Sequence, residues 1–183
     1  MPLYFWNDPD GKRYHDSYFA TYPGIWRHGD LLRITARGSS VISGRSDSTL
    51  NRHGIRIGTS EIYRTVEALP AVQDSLVIHL DDEEPSVMSL FVVLAEGATL
   101  DDTLRDAIKT RLRKERSPRH VPDIILSATG VPYTLTGKKM EVPVKKILTG
   151  AEPGAVANAD AMANPDAIAY YADVASELRQ GSA

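Results

Sequence analysis

The segment Val131 to Met140, VPYTLTGKKM, sets a Thr-Gly turn directly before Lys138. Glycine frees the backbone there, the hydroxyls of Thr134 and Thr136 can hydrogen-bond the turn, and the ammonium that follows is a mobile point charge for an anion. Phosphate binding or charge stabilisation is the chemistry this spacing suits, and a solvated surface lysine is the plain alternative. A Walker loop is excluded. Six residues separate Gly130 from Gly137 where the pattern requires four, and Lys139 stands where Ser or Thr is needed.

A second concentration of charge precedes it. Arg105, Lys109, Arg111, Arg113, Lys114, Arg116 and Arg119 face only Asp106 and Glu115, and Lys138, Lys139, Lys145 and Lys146 face only Glu141. Such runs are either solvated helix faces or the footprint of a compact polyanion, such as a nucleotide or coenzyme phosphate. A nucleic-acid duplex would want a wider stripe. His15, His28, His53, His79 and His120 lack paired metal spacing, no G-x-S-x-G occurs, and the acidic pairs read as turns. With no cysteine among 183 residues, disulfides, thiolate metal sites and thiol nucleophiles are all excluded.

The elements that must position these groups follow from periodicity. The first 26 residues hold eight of the thirteen aromatics, with turn signals at Asn7 to Gly11 and Pro23-Gly24, so this arm offers little room for a regular element. It reads either as a surface arm stapled by aromatic contacts or as a piece of a larger domain. Leu31 to Ala36 and Ser40 to Ile42 predict a hairpin around Arg37-Gly38, and His53-Gly54 a second reversal. Thr59 to Leu69 predicts a helix capped by Thr59 or Ser60, with Ile62, Val66 and Leu69 on one face. The apolar runs Ser75 to Leu80 and Val87 to Ala95 predict strands buried on both faces. A helix capped by Thr99 or Asp101 reaches about Glu115, Val121 to Leu126 is a short strand, and Glu141 to Leu148 is a helix despite Pro143. The class is α+β, a small mixed sheet covered by helices.

The final 33 residues contain eleven alanines, five acidic residues and one arginine. Ala151 to Asn164 reads as a flexible linker, and Asp166 to Leu178 as a helix begun by Asn164-Pro165. The formal charge of −3 averages a basic stretch with this acidic tail. No run approaches the roughly 18 apolar residues of a membrane span, and the start lacks a signal peptide's regions, so the expectation is a cytoplasmic protein with no membrane or nucleic-acid partner.

Three motifs occur in one order: WRHGD ending at Asp30, SGRSDSTLNRHGIRIGTSEIYRTVE from Ser43 to Glu67, and YTLTGKK ending at Lys139. Together they resemble the end of the adenylate-forming acyl-CoA synthetases. Pro132-Tyr133-Thr134-Leu135-Thr136-Gly137-Lys138 departs from the general P-K-T-x-S-G-K and resembles the branch that activates acetoacetate; the tail's ANPDAIAYY does too. The resemblance implies an AMP-forming ligase that adenylates its acid with ATP and passes the acyl group to coenzyme A. It implies residues 1–46 as the end of the large adenylation domain, 47–150 as the mobile domain, and 151–183 as linker and helical tail. Asp30 would bind the ribose hydroxyls of ATP with Arg45 in support, and Arg56 would face the nucleotide phosphates. Asp47 would be the hinge, and Lys138 the adenylation lysine. His53 and Gly54 would line the pantetheine tunnel, and Arg113 would meet a coenzyme A phosphate. A magnesium ion would sit on the main-chain carbonyls of Glu67, Leu69 and Val72. The acid pocket and phosphate loop would come from an N-terminal adenylation domain, in cis or in trans, leaving this chain alone catalytically incomplete. Two alternatives are a non-catalytic module binding coenzyme A or a partner, and a ligase for another short-chain acid.

Overall fold

The aromatic arm does contain a regular element. Helix α1 (Lys12–Tyr18) follows Gly11, whose φ of 67° turns the chain into it. Its start is held by Asp8, whose carboxylate accepts the N–H groups of Arg13 at 3.1 Å and Tyr14 at 2.9 Å. The prediction missed α1 because the helix buries no apolar face, so there was no periodicity to read. Phe5, Tyr14 and Tyr18 meet edge to face, with centroids 5.3 to 5.8 Å apart. Strands β1 (Asp30–Ile34) and β2 (Ser40–Arg45) then form the expected antiparallel hairpin. The structure, a computed structural model, describes residues 2–45, 50–52, 55–80 and 86–180. It divides into two compact units, Met1–Asp47 and Ser48–Ala183. No described side chain of the first unit is buried, and Leu3, Trp6, Ile25, Leu32, Ile34 and Ile42 are all strongly exposed.

The second unit opens with the hairpin of β3 (Leu50–Arg52) and β4 (Ile55–Ile57), which delivers Leu50 and Ile57 into the core. Helix α2 (Thr59–Val66) is shorter than predicted. Its N-cap is Gly58, not Thr59 or Ser60, and it stops before Leu69. Strand β5 (Val72–Leu80) begins three residues earlier than expected and pairs antiparallel with β6 (Val87–Leu94). Helix α3 (Asp102–Glu115) is capped by Asp101, whose carboxylate accepts from Leu104 N–H at 2.8 Å. It carries the chain across so that β7 (Ile124–Ser127) can lie parallel to β6, in the order β5-β6-β7.

This sheet is covered on both sides, as its apolar runs predicted. Val77, Met88, Leu90 and Val92 meet Ile62 and Val66 of α2 and Ile108 and Leu112 of α3. Leu76, Ile78, Leu80 and Phe91 point the other way, toward α4 (Glu141–Leu148) and α6 (Ala167–Gln180). Pro143 is tolerated in α4 because it sits in the first turn, where the N–H would have no intrahelical acceptor. The supposed flexible linker is ordered. It holds α5 (Pro153–Val156) and a 3-10 turn at Ala159–Ala161, and Met162 is buried in the same core as Phe91 and Tyr171.

A candidate active site at the Lys138 hairpin

Residues 133–139 form a short hairpin closed by a three-residue loop. Thr134 N–H donates to Lys138 O at 2.9 Å, Gly137 N–H donates to Thr134 O at 2.9 Å, and Tyr133 bridges Lys139. Gly137 has φ 77°, which places glycine where the loop must turn left-handed. Lys138 N–H donates in addition to the Thr134 hydroxyl at 3.1 Å, so the backbone of Lys138 is held at both its polar groups. The side chain is exposed, and among the described residues its ammonium has neither an ion pair nor a hydrogen bond.

Its neighbour points inward, as alternation along a hairpin arm requires. Lys139 Nζ lies 2.6 Å from Glu67 Oε1, 2.7 Å from Asp74 Oδ1 and 2.6 Å from the carbonyl of Ser75, with the Tyr63 ring 4.0 Å away at its centroid. Glu67 also accepts from the Ser75 hydroxyl, and Tyr133 Oη donates to the other oxygen of Asp74 at 2.9 Å. Burial, then the bond to Asp74, pushes the Tyr133 phenol up; burial, then Glu141, does the same for Tyr63. Removing Lys139 would leave two carboxylates facing each other, at a cost of about 2 kcal/mol once partial exposure is allowed for. One lysine of the pair is presented and the other is an anchor. Asp74 was not singled out from sequence, nor was the ion pair of Lys139 with the Glu67 carboxylate, although the two-residue period of a hairpin was a signal for an inward Lys139.

The other candidates fall in several places. In the first unit, Asp30 and Arg45 are register partners at the open end of the β1–β2 hairpin, and His28 Nδ1 lies 2.8 Å from Asp30 Oδ2. A cleft of about 400 Å³ opens there among Phe5, Asp16, Tyr18, Arg27, His28 and Gly29. Arg56 lies on β4 opposite Asn51. Asp47, His53 and Gly54 lie outside the described residues. Of the carbonyls assigned to magnesium, Leu69 O already accepts from Val72 N–H at 2.9 Å, and the Glu67 carboxylate beside it is committed to Lys139 and Ser75.

The basic stretch divides in two. Arg105 donates to Ile125 O, Arg111 to Glu115 and to Ala68 O, and Arg116 to the Thr65 hydroxyl, so these three fasten α3 to its neighbours. Arg113, Lys114 and Arg119 are exposed.

The chain is 44% identical over 178 residues to acetoacetyl-CoA synthetase of Rattus norvegicus, covering 95% of this chain and 26% of the relative. It is 44% identical over 172 residues to acetoacetyl-coenzyme A synthetase of Rhizobium meliloti, covering 94% and 26%. The chain is similar to a part of the acetoacetyl-CoA synthetases. The structure of the Streptomyces lividans acetoacetyl-CoA synthetase superposes with a TM-score of 0.89 at 52% identity, over 97% of this chain and 26% of that one. No protein-family model matches the chain. It thus spans about a quarter of the length of the acetoacetyl-CoA synthetases it matches, and the α+β class expected from sequence is the class observed. No helix among the described residues is long and apolar enough to cross a membrane.

Proposed function

We propose that this chain is the C-terminal portion of an ATP-dependent acetoacetate-CoA ligase and carries its adenylation lysine, Lys138. The observation that carries the proposal is the division of labour in the Lys138-Lys139 pair, within a chain 44% identical to acetoacetyl-CoA synthetases along 95% of its length. In the first half-reaction a carboxylate oxygen of acetoacetate attacks the α-phosphorus of ATP and pyrophosphate leaves. Negative charge redistributes between carboxylate and phosphate, and an ammonium held on a fixed backbone stabilises it without reorganising. Asp30 accepts hydrogen bonds from the ribose hydroxyls, with Arg45 opposite it in the hairpin, and Arg56 faces the phosphates. The second half-reaction follows rotation about Asp47. Lys138 withdraws, the thiol sulfur of coenzyme A attacks the acyl carbonyl, and AMP leaves. His53 and Gly54 line the path of the pantetheine, and exposed Arg113 meets a coenzyme A phosphate. The acid pocket lies in the part of the ligase outside this chain, and the protein works in the cytoplasm.

Lys138→Ala in the full-length ligase tests this. Acetoacetate-dependent ATP-pyrophosphate exchange is expected to fall by about 10²- to 10³-fold, as for other preorganised donors, while thioester formation from supplied acetoacetyl-adenylate persists. Equal loss of both half-reactions would reject the role. So would exchange at the parent rate.

A further inference from the structure

The alanine-rich tail is built into the hairpin that presents Lys138. Residues 161–164 run beside its first arm. Leu135 N–H donates to Ala161 O at 3.0 Å, Ala163 N–H donates to Tyr133 O at 2.9 Å, and Thr134 forms an antiparallel bridge with Met162. Asn164 completes the join with both ends of its amide. Its Oδ1 accepts Tyr133 N–H at 2.8 Å, and its Nδ2 donates to Val131 O at 2.7 Å. The join has a floor, because Val131 and Met162 are buried.

We propose that Asn164 is a positioning residue for Lys138, and that the tail acts as a third strand fixing where the ammonium is presented. The argument starts from the lysine. Its four-carbon stem is flexible and no described group holds its ammonium, so the accuracy with which Nζ is placed depends on the backbone beneath it. Lys139 secures the second arm of the hairpin to α2 and β5. The first arm, Val131 to Leu135, takes its outer hydrogen bonds from the tail. Without Asn164, the Tyr133 N–H and the carbonyl of buried Val131 lose their partners, and the arm is free to shift. A displacement of about 1 Å at a group that must meet a transition state is enough to slow the step by one to two orders of magnitude.

This inference rests on Lys138 as the adenylation lysine, so the experiment carries both. Asn164→Ala, Asn164→Asp and Lys138→Ala are made in the full-length ligase, and both half-reactions and the melting temperature are measured. Asn164→Ala should lower kcat for acetoacetate-dependent pyrophosphate exchange about tenfold, with KM for ATP and the rate from supplied acetoacetyl-adenylate within about twofold of the parent. Asn164→Asp keeps the acceptor for Tyr133 N–H, so it should fall between Ala and the parent; it decides alone if the Ala variant does not fold. Parent-like exchange in both Asn164 variants, while Lys138→Ala is inactive, overturns this inference and leaves the reading of Lys138 standing. Parallel loss of both half-reactions with a lowered melting temperature also overturns it, because that marks a purely structural staple. If Lys138→Ala retains exchange, both fall together.

Discussion

Residues 35–39 and 134–138 make the same turn in opposite surroundings. In each, a threonine N–H reaches the carbonyl four residues on, at 2.8 Å to Ser39 and 2.9 Å to Lys138, and a left-handed glycine N–H returns to the threonine carbonyl at 2.9 Å. The first threonine hydroxyl meets Ser39 Oγ at 2.7 Å, and the second accepts from Lys138 N–H. The first loop closes a hairpin whose Leu32, Ile34 and Ile42 stand exposed, in a unit with no buried described side chain. The second closes a hairpin gripped by Lys139 beneath and Asn164 alongside. Turn chemistry therefore sets shape in both, while rigidity comes from what the arms are fastened to, which for the second hairpin is Glu67, Asp74 and Asn164.

The strongest test of that contrast is to separate the two units. Residues 48–183 expressed alone should melt in one cooperative transition, because both covers of the sheet are present, whereas residues 1–47 alone should show none, having too little buried apolar area to offset chain entropy. Circular dichroism with heating decides it, and a cooperative transition in the short piece would break the comparison. A smaller effect is expected within each unit. Phe91 is fully buried and meets Tyr171 edge to face with centroids 5.0 Å apart, so Phe91→Ala should cost about 3 to 4 kcal/mol in urea unfolding. Ile34→Thr, at an exposed position, should stay within about 0.5 kcal/mol in this chain. Similar losses at the two sites would remove the distinction. The smallest effect is alkaline. Burial is the first cause that pushes the Tyr63, Tyr133 and Tyr171 phenols up, followed by nearby charge at Tyr63 and Tyr171 and by the bond to Asp74 at Tyr133. The folded chain thus binds these protons more tightly than the unfolded one, so their contribution is complete below the unfolded pKa of about 10 and is lost as pH rises beyond it. Urea midpoints for residues 48–183 should decline above about pH 10, less steeply in Tyr171→Phe, and a flat profile would contradict the assigned burial.

What the sequence made legible was whatever a local period or a stop signal could carry. The continuous apolar runs of β5 and β6 announced burial on both faces, and Asp101 was readable as a cap. Helix α1 was invisible for the converse reason: it buries no stripe and depends on Asp8, which lies outside it. The tail was misread because its order comes from bonds to Val131 and Tyr133, more than thirty residues away, and neither composition nor periodicity reports such partners. At the candidate site, Lys138 was legible from the turn that precedes it. Its supports were not. Sorting Lys139 from Lys138, or Arg105, Arg111 and Arg116 from Arg113, requires knowing which way each side chain faces and which carbonyls lie within reach.

Gly137 carries a consequence for chemistry at this hairpin. Its φ is 77°, yet a Cβ built there would meet nothing within 4 Å. Crowding therefore does not reserve the position for glycine; handedness does, since an L-residue held in that conformation is strained by about 1 kcal/mol or more. A mirror-image residue would be at ease in the same backbone and would project into open space. The residue next to Lys138 is thus a place where a chain assembled by chemical ligation could carry a D-amino acid with a spectroscopic label, reporting on the lysine's surroundings without touching its supports.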